Sequence, residues 1–68
     1  MDGIQIQLNG ESRRTKSASV AELLEELGLT DRKVAVEHNR DIVSRSSYSS
    51  TQLAPGDSLE IIHFVGGG

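Results

Sequence analysis

The sequence contains no cysteine. Disulfide bonds, thiolate–metal sites and a cysteine nucleophile are therefore excluded, and the fold must be held by packing alone. Long apolar runs are also missing: none approaches the roughly 20 residues that cross a bilayer as a helix, and the first residues lack the basic and apolar regions of a signal peptide. We therefore expect a soluble, cytoplasmic protein with no membrane partner.

Positive charge is scarce as well. Seven basic against ten acidic residues leave a net charge of −3, which disfavours a nucleic-acid backbone as the partner and favours a protein surface. With 68 residues the chain forms one small domain, which buries only about 60% of the surface that its unfolded chain exposes. We expect this domain to cover residues 1–65 and a flexible glycine tail to cover residues 66–68.

The first third of the chain predicts a β-hairpin. Residues 4–8, IQIQL, alternate apolar and polar side chains as a half-buried strand does. Asn9 and Gly10 both tolerate positive φ and form the strongest short signal for a two-residue hairpin turn. Residues 11–16 are then the return strand, which is polar and depends more on the turn and the backbone ladder than on side-chain burial.

A helix is predicted to begin after Ser19. Ser19 and Glu22 have the spacing of a capping box, and the apolar residues recur at helical spacing. The apolar stripe consists of Val20, Leu23, Leu24 and Leu27. The acidic residues Glu22, Glu25 and Glu26 fall mainly on the other faces and are predicted to form a solvated surface, with a docking surface for a basic partner as the alternative.

The helix is predicted to end near Leu27. Gly28 is suited to the left-handed position that follows a helix, and Leu29 then lies where a Schellman motif places an apolar residue, against Leu24.

The second half of the chain predicts short strands separated by turns. Residues 34–37 form a strand, residues 38–41 a polar turn and residues 42–43 a short return. Residues 44–51 are mostly serine and predict a loop or a 3₁₀ turn anchored by Tyr48 and Leu53. Pro55 and Gly56 occupy the central positions of a type II turn, which leads into a last strand over about residues 58–65.

This order of elements predicts an α+β fold of the β-grasp, or ubiquitin-like, type. In it a mixed, curled sheet of four to five strands packs over one main helix.

Alternation along the last strand predicts which residues point outward. Leu59 and Ile61 share one face and point inward, so Ile62 and Phe64 lie on the outer face with Glu60. Two bulky apolar residues on a solvent face would form a partner-binding patch. In the alternative, a bulge resets the register and buries Phe64.

Six segments, taken together and in order, resemble the ThiS family, the sulfur carrier proteins of thiamin biosynthesis. They are LNGE (8–11), VAELLEEL (20–27), VAVE (34–37), IVSR (42–45), GDSLEII (56–62) and FVGGG (64–68). The chain departs from the family pattern at Ser44, where proline is common, and at Arg40, where glycine or a small residue is common. Both departures concern turn geometry.

The resemblance implies a carrier and not an enzyme. A ThiF-like adenylating enzyme would use ATP to activate the carboxylate of Gly68, and a persulfide sulfur donor would convert it to a thiocarboxylate. A ThiG-like thiazole synthase would then receive the sulfur. Gly66 and Gly67 have no β-carbon, so they would thread a narrow channel in the partner, while Ile62 and Phe64 would supply contacts that offset the cost of ordering the tail.

Two alternatives remain open at this point. The small subunit of molybdopterin synthase (MoaD-like) shares the fold and the Gly-Gly end, and a noncatalytic β-grasp interaction module lacks the carrier chemistry. The remaining residues predict no site of their own: His38 and His63 have no third ligand at metal spacing, and no arrangement supports independent catalysis. No bound cofactor is expected, and Arg45 and Tyr48 are interpreted as structural anchors.

Overall fold

The computed structural model describes residues 3–30 and 32–64. These residues form one five-stranded sheet with one helix packed against it. The elements are β1 (Ile4–Leu8), β2 (Glu11–Thr15), α1 (Val20–Glu26), β3 (Val34–His38), β4 (Asp41–Val43), a 3₁₀ turn (Arg45–Ser47) and β5 (Ser58–His63). The strand order is β2-β1-β5-β3-β4. β1 and β5 are parallel and all other neighbouring strands are antiparallel, which confirms the predicted mixed β-grasp sheet.

Each of the two hairpins is closed by a tight two-residue turn. Asn9 (φ 51°) and Gly10 (φ 83°) form the predicted two-residue turn, with Leu8 paired to Glu11. The second hairpin uses the same geometry, since His38 pairs with Asp41 across Asn39 (φ 52°) and Arg40 (φ 75°). The turn was predicted to cover residues 38–41. Only Asn39 and Arg40 form it, because His38 and Asp41 already belong to the paired strands.

The helix begins and ends where its sequence signals lie. The Ser19 hydroxyl accepts a hydrogen bond from the Glu22 amide at 3.2 Å, and the Glu22 carboxylate reaches back to the Ala18 amide at 2.8 Å. At the other end Gly28 has φ 74°, and the Leu29 amide donates to the Leu24 carbonyl at 2.8 Å. This is the predicted Schellman motif.

The core lies between α1 and the inner face of the sheet. Its buried members are Ile6, Val20, Leu23, Leu24, Val36, Leu59 and Ile61. Leu59 and Ile61 are buried and so point inward, as predicted. β5 pairs with β3 in a continuous register from Val34↔His63 to His38↔Leu59. Since no residue is inserted in this register, the bulge that would have buried Phe64 is not present.

The serine-rich segment forms the predicted 3₁₀ turn and leads back to the helix. Tyr48 and Leu53 pack against the core, and the Tyr48 carbonyl accepts from the Ala21 amide at 3.0 Å. The type II turn is also present, since Gly56 has φ 86° and the Asp57 amide donates to the Ala54 carbonyl at 3.1 Å. Within residues 3–30 and 32–64, no helix is long and apolar enough to cross a membrane.

Candidate functional site

The last strand, β5, occupies the centre of the sheet. It lies between β1 and β3, so main-chain hydrogen bonds hold it from both sides. A central strand is the most constrained position that a sheet offers, because both of its edges are paired. β1 pairs with the first two residues of β5, Ser58 and Leu59, whereas β3 pairs with β5 as far as His63. The direction in which β5 ends is therefore set mainly by its pairing with β3.

Asn9 extends this support beyond the end of β1. Its amide donates to the Leu59 carbonyl at 2.9 Å. Its side-chain Oδ1 accepts from the Ile61 amide at 2.8 Å, and its Nδ2 donates to the Ile61 carbonyl at 3.3 Å. The carboxamide thus replaces a main-chain partner on β5. Sequence reasoning missed this contact, since Asn is already favoured at this position by its positive φ.

Phe64 is the last residue that the structure describes, and it is still attached to the sheet. Its amide donates to the Lys33 carbonyl at 2.9 Å. The predicted reactive residue Gly68 and the predicted threading residues Gly66 and Gly67 lie outside the described residues, so their roles stay predictions.

Three large apolar side chains lie exposed on the outer face of the sheet. Ile42 is 81% exposed, Ile62 54% and Phe64 57%. We call these three residues the outer-face patch. The sequence suggested exposure of Ile62 and Phe64 but missed Ile42, whose place depends on the β3–β4 register: Ile42 pairs with Glu37, which in turn pairs with Glu60 of β5. The patch therefore lies beside the strand end that leads to the C-terminus.

The acidic side of α1 is not only a solvated surface. Glu22, Glu25 and Glu26 are exposed as predicted, but Glu26 also accepts hydrogen bonds from Thr15 Oγ1 at 2.5 Å and from Arg13 at 2.8 Å. These bonds hold the pKa of Glu26 below its ordinary value of 4.5. The polar strand β2 is thus held to β1 by the backbone ladder and to the helix by side chains.

A second polar cluster lies at the opposite end of β5. His38 Nε2 lies 2.6 Å from Asp57 Oδ2, and Asn39 Nδ2 donates to Asp57 Oδ1 at 3.2 Å. Burial opposes ionisation of Asp57, but the hydrogen bonds from His38, the Ala54 amide and Asn39 outweigh it and hold the pKa below 3.8. This cluster fixes the start of β5, because Asn39 Oδ1 also accepts from the Ser58 amide at 2.9 Å.

The two remaining residues singled out by the sequence differ in role. Tyr48 is half-buried and anchors the 3₁₀ turn, as predicted. Arg45 is exposed, and its side chain forms no hydrogen bond or ion pair with another described residue, so the anchoring role predicted for it is not seen.

The chain is similar in sequence and in structure to proteins of the ThiS family. The ThiS family profile matches residues 6–68. The sulfur carrier protein ThiS of Bacillus subtilis is 37% identical over 65 residues, which cover 93% of this chain and 98% of that protein. The crystal structure of the thiamine biosynthesis protein (ThiS) from Geobacter metallireducens superimposes with a TM-score of 0.79 at 30% identity, covering 96% of this chain and 100% of that one.

Longer proteins also match. A thiazole synthase of Paramagnetospirillum magneticum is 48% identical over 66 residues, and the match covers 96% of this chain. The chain spans only 20% of the length of that thiazole synthase. A region similar to this chain therefore occurs within a much longer polypeptide.

Proposed function

Since the chain belongs to the ThiS family, we propose that it is a sulfur carrier of thiamin biosynthesis. It serves as the protein substrate of other enzymes and performs no catalysis itself. The Gly68 carboxylate is the group that carries sulfur.

The observation that supports this role most directly is the anchoring of the chain up to Phe64. β5 is paired on both sides, Asn9 holds Ile61, and the Phe64 amide is bound to Lys33. Four residues follow Phe64, and an extended chain of that length reaches at most about 14 Å. A partner that grips the domain thus finds the terminal carboxylate within a short, defined radius of the strand end.

The chemistry needs only this carboxylate from the chain. A ThiF-like enzyme would let a Gly68 carboxylate oxygen attack the α-phosphorus of ATP, with pyrophosphate leaving. A carboxylate is a poor electrophile until one oxygen becomes a good leaving group, and the acyl-adenylate supplies that group. The terminal sulfur of a persulfide donor then attacks the acyl carbon and displaces AMP, which leaves donor and chain joined by an S–S bond. A thiol attacks the donor's sulfur in that bond, so that the thiocarboxylate leaves and a disulfide forms between the thiol and the donor. Gly66 and Gly67 add no side chains to the threaded segment.

Thiazole synthase is the proposed acceptor of the sulfur. Thiazole synthases from two bacteria, Paramagnetospirillum magneticum and Magnetococcus marinus, each contain a region similar to this chain. When a carrier-like region and the enzyme that accepts its sulfur belong to one polypeptide, the effective concentration of the carrier at the enzyme is raised. This supports thiazole formation over the molybdopterin pathway.

Intact-mass measurement tests the carrier role. The chain is incubated with a ThiF-like enzyme, ATP, a persulfide donor and a thiol reductant. We expect a mass gain equal to the exchange of one oxygen for one sulfur. Deleting Gly68 or appending one residue after it should abolish the gain, whereas the Lys16→Glu variant, altered next to β2 at the end of the sheet away from Phe64, should keep it. Absence of the gain with an activator that converts another ThiS protein would refute the proposal.

A further inference from the structure

β4 is shorter than the strand it pairs with, and the difference leaves part of β3 uncovered. β4 ends at Val43, which pairs with Val36. β3 begins two residues earlier, at Val34. The edge of β3 beside Val34 therefore has no strand next to it among the described residues.

The main-chain groups of Val34 point toward this uncovered edge. Along a strand, successive residues direct their N–H and C=O groups to opposite edges. The Phe64 amide donates to the Lys33 carbonyl and the Asn39 amide donates to the Ser58 carbonyl, so the odd-numbered residues of β3 face β5. Val34 faces the other way, and no hydrogen bond to its N–H or C=O occurs within residues 3–30 and 32–64. It presents one donor and one acceptor to an incoming strand.

A groove of about 500 Å³ lies along this edge. Apolar residues from the helix end and the 3₁₀ turn line it, among them Leu24, Leu29 and Tyr48. Phe64 lines it as well, which makes the groove continuous with the outer-face patch. One occupant could therefore contact the groove and the strand that leads to the C-terminus at the same time.

The described residues that line this groove carry a charge opposite in sign to that of the whole chain. Arg32, Lys33 and Arg45 line it, and none of the described residues that line it is acidic. The net charge of the chain is −3, yet three of its seven basic residues gather here. None of the three forms an ion pair with another residue in the described part of the chain.

We propose that this groove binds an extended, acidic segment of the partner protein that takes up the C-terminal tail. The segment adds a strand to the β3 edge by pairing with the Val34 main chain, places an apolar side chain against Leu24 and Leu29, and directs carboxylates to Arg32, Lys33 and Arg45. This is β-strand addition, in which main-chain hydrogen bonds give affinity and side-chain pockets give specificity. The identity of the partner rests on the proposed function, but the chemistry of the groove does not.

Titration of the ¹⁵N-labelled chain with a short acidic peptide tests the groove directly. The probe is acetyl-Glu-Val-Asp-Leu-Glu-Val-Asp-amide, and the control peptide has every acidic residue replaced by its amide. We expect chemical-shift changes centred on Leu29, Val34 and Arg45, and slower hydrogen exchange of the Val34 amide in the complex. The amide control should bind at least about tenfold more weakly, since it lacks the charges that complement the groove.

A matched pair of charge reversals provides the specificity control. Arg45→Glu changes an exposed groove residue and should weaken binding of the acidic peptide by about tenfold or more. Lys16→Glu makes the same change of charge at an exposed residue next to β2 and should leave the affinity unchanged. Equal losses for both variants, shifts centred elsewhere, equal binding of both peptides, or no binding at millimolar peptide would each overturn the proposal.

The mass assay separates failure of this proposal from failure of the carrier role. Arg45→Glu keeps Gly68, so it should still gain sulfur at saturating activating enzyme, but the enzyme concentration needed for half the maximal rate should rise. If the peptide binds and wild-type chain gains no sulfur, the groove stands and the carrier role fails. If sulfur is gained and Arg45→Glu behaves as wild type, the groove is not used by the activating partner.

Discussion

At the scale of single residues, the turn between β3 and β4 places a residue with a β-carbon in an unfavourable backbone conformation. Arg40 has φ 75°, in the left-handed region that costs a residue with a β-carbon roughly 1–2 kcal/mol. The equivalent place in the first hairpin is Gly10, with φ 83°. The geometry of this turn therefore favours glycine at position 40 as well.

Replacing Arg40 by glycine should therefore stabilise the protein. We expect Arg40→Gly to raise the free energy of unfolding by about 0.5–1 kcal/mol, because relief of the left-handed strain outweighs the extra freedom of glycine in the unfolded chain. Urea denaturation measures this change. Lys16→Gly, at an exposed residue without positive φ, should be destabilising. If Arg40→Gly is as destabilising as Lys16→Gly, the strain at Arg40 is absent.

At the scale of elements, side chains join parts that the backbone ladder leaves separate. β2 is an edge strand with no backbone bond to α1, and the Glu26 carboxylate bridges the two. It accepts from Thr15 and Ser17 at one oxygen and from Arg13 at the other. Thr15 is only 3% exposed, so one of these bonds lies at the margin of the core.

The bridge should make stability depend on pH. The hydrogen bond from Thr15 and then that from Arg13 lower the pKa of Glu26 in the folded state below 4.5, against a smaller opposing effect of burial. Ionised Glu26 therefore stabilises the fold at a pH above its unfolded pKa, and this contribution is lost as the pH falls through the lower folded pKa. The pKa of Asp57 is also lowered in the folded state, so Asp57 contributes to stability with the same dependence on pH. Asp57 is present in wild type and in both variants described next, so its contribution cancels in their comparison.

Glu26→Gln isolates the contribution of the bridge. We expect this variant to be less stable than wild type at about pH 7 and to approach wild type as the pH falls from about 5 to 3. Thermal unfolding across this range measures the difference. Glu25→Gln removes a carboxylate from the same helix where no described hydrogen bond involves the side chain, and its difference from wild type should stay nearly constant. A Glu26→Gln deficit as large at pH 3 as at pH 7 would contradict the assignment.

At the scale of the whole molecule, the sheet separates stability from recognition. The inner face of β5 carries Leu59, which is fully buried, and the outer face carries Ile62 and Phe64, which are more than half exposed. β5 and the residue that follows it thus contribute both to the core and to the outer-face patch. Phe64 belongs to the patch and also lines the groove beside Val34, so the two surfaces adjoin.

Phe64→Ser should reveal this separation. Because Phe64 is 57% exposed, we expect its loss to change the free energy of unfolding by no more than about 1 kcal/mol while weakening binding to the ThiF-like enzyme, measured by calorimetry. Leu59→Ala, on the inner face, should cost about 2–5 kcal/mol. A loss of about 3 kcal/mol for Phe64→Ser would show that the side chain contributes to the core and not to a free patch.

Local features could be predicted from the sequence because each depends on neighbouring residues. The Asn9-Gly10 turn, the Ser19 cap and the Schellman motif at Gly28 are all formed by residues within about five positions of one another. Alternation alone placed Leu59 and Ile61 inside. These local signals do not supply the order of the strands in the sheet, which comes from the structure.

The sequence by itself determined the elements, their caps and turns and the fold class, and the family resemblance implied the chemistry expected of Gly68. Only the tertiary structure decided that Phe64 is exposed, that Ile42 joins it on the outer face, that Asn9 holds Ile61 and that the Val34 edge is open. The physical reason is register. Each of these facts depends on which residues of two strands lie opposite one another, and a slip of one residue would reverse the face of every side chain on the strand.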